Sequence, residues 1–347
     1  PNEATAAYFL GRAQAEQKAL TAAITHFRKA VALRPGWLAA RYALATACFE
    51  AGRFDEAIAE CERLRQLSPG LRQAHFLSAF SHAHKEDYAT AIEEYLEARP
   101  QNPTPSYYLG LANLLAKAGR HDEAERSLRR ARELAPTSPT LLFALVSHLE
   151  TTGKWKEAET EIGKLPGNDP FAVALLARHY QRAGRLADAE KAYSRLVQLA
   201  GNKPWSHILR GDFLLGTGRY DQACTEYQRA VDLGEKRARN FLASALTAAG
   251  KLDKARKHIA TILDDSPRDA RAHLERARLL LAEVTRDGQL EKLDDARSAA
   301  TKALELDPSL LEAHLALADA MLLEKPPKRL AAVAELKRAL AARPDYI

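Results

Sequence analysis

The sequence is poor in the residues that mark several common protein classes. Its three cysteines, Cys48, Cys61 and Cys224, are odd in number and lack CxxC spacing, which argues against a disulfide framework or a zinc site. Aromatic residues make up 7% of the chain and Met321 is its single methionine, so we expect a core of alanine and leucine. No stretch reaches the roughly 18 uninterrupted apolar residues of a membrane span, so we expect none.

The start of the chain also lacks familiar signals. It begins at Pro1 without an initiator methionine, and no positively charged start precedes a short apolar run as in a signal peptide. We interpret the chain as an excised segment, which leaves open a signal peptide or neighbouring domains outside it. Three unpaired thiols favour the cytoplasm slightly, with the periplasm as the alternative.

Charge gives no sign of a nucleic-acid partner. The net charge is +6 and the isoelectric point is near 9.1, but the basic residues alternate with acids, as in "RHDEAERSLRRARE" from Arg120 to Glu133. No long block of like charge occurs, so solvated helix faces are the simpler interpretation.

One short stretch recurs along the chain. "AGRFDEA" begins at residue 51, and close copies begin at 118, 152, 183, 217 and 249. Apolar residues on both sides follow helical spacing, which predicts two amphipathic helices joined by a sharp turn. We expect Gly52 to end the first helix in the left-handed conformation, Asp55 to cap the second, and Phe54 to pack back as a staple. Lys156, rather than an acid, follows Trp155, which predicts a weaker cap.

Prolines close the unit at its other end. Pro35, Pro69, Pro103 and Pro136 follow one another at steps of 34, 34 and 33 residues. The chain therefore resembles the tetratricopeptide repeat family, whose unit is a helix-turn-helix of about 34 residues. The residues that carry the resemblance in the first repeat are Leu10, Gly11, Ala23, Phe27, Ala30 and Pro35.

The resemblance covers the whole chain and implies an all-α fold, a right-handed superhelical α-solenoid of antiparallel helix pairs. We expect one array over 1–347 with ten repeats, at 4–37, 38–71, 72–104, 105–138, 139–169, 170–203, 204–235, 236–269, 270–310 and 311–347. The last repeat runs nearly to Ile347 without an evident polar cap. Pro166 should shorten the second helix of the fifth repeat. About seven extra residues in the ninth repeat should form a longer surface turn, with an additional partner contact as the alternative.

The sequence contains none of the common catalytic motifs. There is no phosphate loop, nucleophile elbow, HExxH or calcium loop, so we expect no enzyme activity, cofactor or metal. His75 and His82 share a helix face two turns apart, too far for one metal ion, and we interpret them as packing and surface residues. Cys48 and Cys61 face each other across one repeat, but small apolar residues suit both sites better than a redox pair does.

The remaining candidate is the concave groove that, by the resemblance, the first helices line. Large apolar side chains on an accessible face are typical of partner binding, although several of these residues could instead fill gaps between repeats. The candidate groove residues are Tyr8, Arg12, Tyr42, Phe49, Phe76, Phe80, Asn113, Phe143, Arg178, Arg182, Trp205, Asp212, Asn240, Arg271 and Arg278.

We therefore predict a non-catalytic scaffold that binds a peptide or helical segment of another protein. One alternative is a substrate-recruiting arm excised from a larger enzyme, and another is a bacterial envelope scaffold of a secretion or exopolysaccharide system. The family's clamp for chaperone tails is not expected, because Tyr8 and Arg12 replace its first Lys and Asn.

Overall fold

The computed structural model describes residues 2–342, which form α-helices, one short 3-10 helix and connecting turns. The first ten helices are α1 Asn2–Glu16, α2 Leu20–Leu33, α3 Leu38–Glu50, α4 Phe54–Leu67, α5 Arg72–His84, α6 Tyr88–Glu97, α7 Pro105–Lys117, α8 His121–Leu134, α9 Pro139–Thr151 and α10 Trp155–Gly163. The next ten are α11 Pro170–Arg182, α12 Leu186–Leu199, α13 Pro204–Gly216, α14 Tyr220–Asp232, α15 Ala238–Ala248, α16 Leu252–Asp265, α17 Ala270–Asp287, α18 Leu293–Leu306, α19 Leu311–Leu323 and α20 Arg329–Ala342.

The chain divides after Lys164 into two compact units. The first holds α1–α10 and the second α11–α20, and in each unit the helices pack as tandem pairs. This confirms the predicted all-α fold of ten pairs. The single array and its repeat boundaries stay predictions, and Pro1, Pro344 and Ile347 lie outside the described residues. No helix within residues 2–342 is both long and apolar enough to cross a membrane.

Small residues let the two helices of each pair approach closely. The fourth residue of every second helix is an alanine that is at most 1% exposed: Ala23, Ala57, Ala91, Ala124, Ala158, Ala189, Ala223, Ala255, Ala296 and Ala332. Gly11 faces Phe27 so closely that an added Cβ would lie 2.7 Å from the ring. Close packing at these sites fixes the spacing of the pair.

A left-handed glycine reverses the chain between the two helices. Gly52 has a φ of +73°, and the N–H of Arg53 donates to the carbonyl oxygen of Cys48 at 2.8 Å. That bond satisfies a carbonyl group that the end of a helix leaves free. The same conformation recurs with φ between +70° and +78° at Gly119, Gly153, Gly184, Gly218 and Gly250, so the predicted role of the glycine is confirmed.

The predicted cap by Asp55 is wrong. α4 begins at Phe54, and its N-cap is Arg53, whose side chain makes no capping hydrogen bond. Because the N–H of Arg53 already closes the preceding helix, the new helix starts directly after it. Asp55 is therefore the second helical residue, where its charge faces the positive end of the helix dipole, and Phe54 is not a staple. α8, α10, α12, α14 and α16 begin in the same way, without a side-chain cap.

The aspartate of the turn instead links neighbouring repeats. The carboxylate of Asp55 forms an ion pair with Lys85 of the next turn. The same link joins Asp122 to Lys154 at 3.7 Å and Asp221 to Lys251 at 2.6 Å. These groups are open to water, which screens such pairs, so we assign them a role in the register of the repeats rather than in overall stability.

Two repeats depart from the regular pattern. The second helix of the fifth repeat is short as predicted, because α10 ends at Gly163, ahead of Pro166. The extra residues of the ninth repeat mostly lengthen its first helix, contrary to the predicted turn. α17 has 18 residues and is capped at its C-terminal end by Gly288, with a φ of +70°. The 3-10 helix Leu290–Lys292 leads into α18.

Two turns that lack the glycine test its energetic role. Lys18 and Glu86 take up the left-handed conformation with φ of +60° and +61°, which costs an L-residue roughly 1–2 kcal/mol. We expect Glu86→Gly to raise the free energy of unfolding by about 0.5–1 kcal/mol and Gly52→Ala to lower it by about 1 kcal/mol. Urea unfolding measures both changes, and a Glu86→Gly variant that loses as much as Gly52→Ala would contradict this account.

Candidate functional site

A cavity on the first helices of the first unit brings together three of the predicted residues. Tyr8 and Arg12 of α1 and Tyr42 of α3 line a space of about 260 Å³, which we call the α1–α3 cavity. Its other lining residues are Ala15, Glu16, Phe27, Ala43, Thr46, Ala47 and Glu50. Aromatic walls with charges of both signs suit an apolar side chain flanked by polar groups.

Packing holds Tyr8 in place within this cavity. Its ring centroid lies 4.8 Å from that of Trp37 and 5.9 Å from that of Phe27. The guanidinium carbon of Arg12 lies 6.0 Å from the Tyr8 centroid, at the outer limit of a cation–π contact. A ring already fixed by its neighbours loses little further freedom when a partner binds.

Phe76 and Phe80 of α5 lie on a second group of aromatic rings. Their centroids are 5.0 and 6.0 Å from that of Tyr95, a buried residue of α6. The hydroxyl of Tyr95 donates to the carbonyl oxygen of Tyr107 at 3.1 Å, and burial raises the pKa of Tyr95 to about 12, so the donor keeps its proton. Phe76 is half-buried, while Phe80 stays 41% exposed on this support.

The remaining predicted residues of the first unit lie apart from these two groups. Phe49 packs at the turn end of α3, where its centroid is 5.7 Å from Phe54 and 5.3 Å from His84 of the next repeat. Its ring therefore fills a junction between repeats. Asn113 of α7 and Phe143 of α9 are both exposed.

In the second unit the predicted residues have separate surroundings. Arg182 and Arg271 are exposed, Arg178 is half-buried, and Trp205 is 42% exposed. Asp212 accepts a hydrogen bond from the hydroxyl of buried Tyr227 at 2.7 Å. Most of these side chains therefore lie at the surface of the second unit, each in different surroundings.

Two predicted residues of the second unit form hydrogen bonds with neighbouring side chains. Arg278 donates to the carboxylate of buried Glu275 at 2.9 Å. Asn240 is itself buried, and its side-chain nitrogen donates to Asp269 at 3.1 Å. Asn240 is therefore only 8% exposed, and its side chain contacts the N-cap residue of α17.

A glutamate that recurs between the two helices of a pair was not predicted from the sequence; it is buried in three repeats and half-buried at Glu94. Glu60, Glu94, Glu226 and Glu335 stand at the seventh residue of their second helices, and each is bound by a residue of the first helix of the same repeat. The contacts are Arg41 Nη1 to Glu60 at 2.6 Å, His75 Nδ1 to Glu94 at 2.7 Å, His207 Nδ1 to Glu226 at 2.7 Å and His314 Nδ1 to Glu335 at 2.8 Å. The signal was a basic residue followed by a glutamate 19 or 21 positions later, on helix faces that are otherwise apolar.

The histidines singled out in the sequence have structural partners. His75 binds Glu94, and His82 Nδ1 lies 3.0 Å from Asp87. Burial by itself would raise the pKa of Glu94, but hydrogen bonds from Arg65 and His75 hold it below its usual value. Among residues 2–342, no group of three or more His, Cys, Asp or Glu is placed to hold a metal ion.

The cysteines are buried free thiols. Burial raises the pKa of Cys48 to about 11 and that of Cys61 to about 12. Because the thiolate is the reactive form, both side chains suit packing better than redox chemistry.

We therefore expect iodoacetamide at pH 8 to leave Cys48 and Cys61 unmodified in the folded protein and to modify them once guanidinium unfolds it. Mass spectrometry of peptides reports each site separately. Rapid modification of Cys61 in the folded state would contradict the assigned burial.

Comparison with known families identifies the repeat. A family model described as "Tetratricopeptide repeat" matches residues 14–75, 115–179 and 214–279, which together exceed half of the 347 residues. The chain belongs to the tetratricopeptide repeat family. A second tetratricopeptide repeat model matches residues 174–240. Proteins built from this repeat are generally non-catalytic scaffolds for protein interactions.

One solved structure supports the fold. A tetratricopeptide repeat protein from Parabacteroides merdae is similar, with 18% identity and a TM-score of 0.51 over 70% of this chain and 94% of that one. MamA protein is also similar, with 15% identity and a TM-score of 0.43 over 53% and 94% of the two chains. A comparison with curated proteins finds no match. At 18% identity the likeness to the first structure concerns the fold alone.

Proposed function

We propose that the chain is a non-catalytic scaffold whose first unit binds a peptide or helical segment of another protein on its first helices. One observation carries the proposal. Phe80 remains 41% exposed although a cluster of rings supports it from below. Aromatic side chains that are both accessible and rigidly held are typical centres of protein-binding surfaces.

The α1–α3 cavity supplies a second anchor point. Tyr8 and Tyr42 form its apolar walls, Arg12 adds a cation, and Glu16 and Glu50 add carboxylates. A partner side chain of moderate size would bury apolar surface there. An acidic neighbour on the partner would face Arg12, and a basic neighbour would face the two glutamates, so charge would fix the direction of the segment.

The alternatives of an enzyme's recruiting arm and an envelope scaffold are variants of this proposal. Both would present the same first-helix surface to another protein, so the test concerns the surface rather than the larger assembly.

A peptide selected against the wild-type protein by phage display provides the test. We expect Phe80→Ala to weaken its binding about tenfold, as for a central hot-spot residue, and Arg12→Gln to weaken it less. Fluorescence polarisation with the labelled peptide measures the affinities. Because Phe80 is partly exposed, its truncation should change the free energy of unfolding by less than about 1 kcal/mol.

Leu134→Ala is the matched control. Leu134 is a similarly exposed apolar residue, at 43%, but it belongs to the second helix α8. Its truncation should leave peptide binding unchanged. Equal losses in Phe80→Ala and Leu134→Ala, or no loss in Phe80→Ala, would refute the proposed surface.

A further inference from the structure

The lengthened first helix of the ninth repeat borders a cavity of about 460 Å³ in the second unit. The cavity lies between α16 and α17, and Lys292 of the 3-10 helix contributes to its lining. For comparison, a cavity around α7, in a repeat of regular length, measures about 250 Å³. The larger cavity falls within the roughly 300–1,000 Å³ range of sites for small molecules. We call it the ninth-repeat cavity.

The walls of the ninth-repeat cavity are mainly apolar. α16 contributes Ile259, Ala260 and Leu263, and α17 contributes Leu279 and Leu280. Ile259 and Leu279 are buried, whereas Leu263 and Leu280 are half-buried and Ala260 is exposed. An apolar ligand would therefore remove further hydrocarbon surface from water, which favours binding.

Charged groups surround the apolar walls. The lining includes the cations Arg256, Arg276 and Lys292 and the carboxylates Asp264 and Glu283. Glu283 is 1% exposed and accepts hydrogen bonds from Arg256 and Lys292. The lining thus has one more positive than negative charge.

Arg256 also pairs with Asp253 at 2.9 Å, so the charges around Glu283 balance. Arg276 and Asp264 are the lining's charged groups without an ion pair within residues 2–342. Burial alone would raise the pKa of Glu283, but the bonds from Lys292 and Arg256 lower it, so this carboxylate stays ionised and occupies those two cations. Arg276 is exposed and has no ion pair or hydrogen bond with another residue in the described range 2–342. Its guanidinium group is free to bind a carboxylate through two parallel hydrogen bonds.

We propose that the ninth-repeat cavity binds a small amphipathic anion. Its aliphatic chain would lie against the apolar wall that includes Ile259 and Leu280, and its carboxylate would lie beside Arg276. Three features match this ligand class: the volume, the apolar walls and the single unpaired cation. The site is independent of the peptide-binding proposal, because none of its residues belongs to the first unit.

Calorimetric titration with straight-chain carboxylates tests the ligand class. Hexanoate, octanoate and decanoate, each below its micelle concentration, should bind the full chain at one site. Affinity should increase up to about fourfold for each added methylene group that the cavity buries. Decylamine has the same chain with the opposite charge and should bind more weakly. Absence of saturable decanoate binding, or equal binding of decylamine, would overturn the proposal.

Two pairs of variants test the location. Ala260→Trp fills the cavity from its exposed side and should abolish decanoate binding, while Thr261→Trp, on a neighbouring exposed residue that does not line the cavity, should not. Arg276→Gln should weaken decanoate about twofold to fivefold, the range expected for an exposed charge pair. Arg268→Gln makes the same charge change at an exposed residue outside the lining and should have no effect.

Circular dichroism establishes that each variant is folded. If Ala260→Trp does not fold, Arg276→Gln against Arg268→Gln still decides, because both sites are exposed. Decanoate affinity that is unchanged in Arg276→Gln, or weakened equally in both arginine variants, would refute the assigned position of the carboxylate.

Discussion

Each regular repeat reverses its chain through a turn that needs one residue in the left-handed backbone conformation. Gly52 and its five counterparts supply that residue without the steric cost that a Cβ would impose. The backbone hydrogen bond that closes the first helix also fixes where the second helix begins. In these six repeats the buried alanine of the second helix therefore follows the glycine at a constant interval, as from Gly52 to Ala57.

Much of the fold could be predicted because its signals are local. The glycine turn, the helix pairs and the shortened α10 all follow from residues close together in the chain. The Asp55 cap failed because the backbone bond that closes α3 places the N-cap of α4 at Arg53, two residues before Asp55. The glutamates that bind His75 and His207 were missed because their partners stand on the other helix of the pair.

The candidate site was less predictable, since neighbouring repeats decide what a side chain meets. Tyr8 and Tyr42, which stand 34 residues apart on successive first helices, line the same cavity. Phe80 is exposed. Phe49 occupies an equally plausible position in the sequence, yet His84 of the next repeat packs against it. Asn240 is likewise engaged by a distant residue, since its side chain donates a hydrogen bond to Asp269. Such contacts join residues about 30 positions apart and depend on the angle between repeats, which helical spacing within one segment does not encode.

The central functional claim is that partners bind to the first helices of the first unit and that the second helices support them. Amide hydrogen exchange, with and without a bound peptide, tests this claim most directly. The account predicts slower exchange in α1, α3 and α5 of the complex, because binding reduces local opening of the helices that it contacts. Protection confined to the second helices α2, α4, α6 and α8 would contradict it.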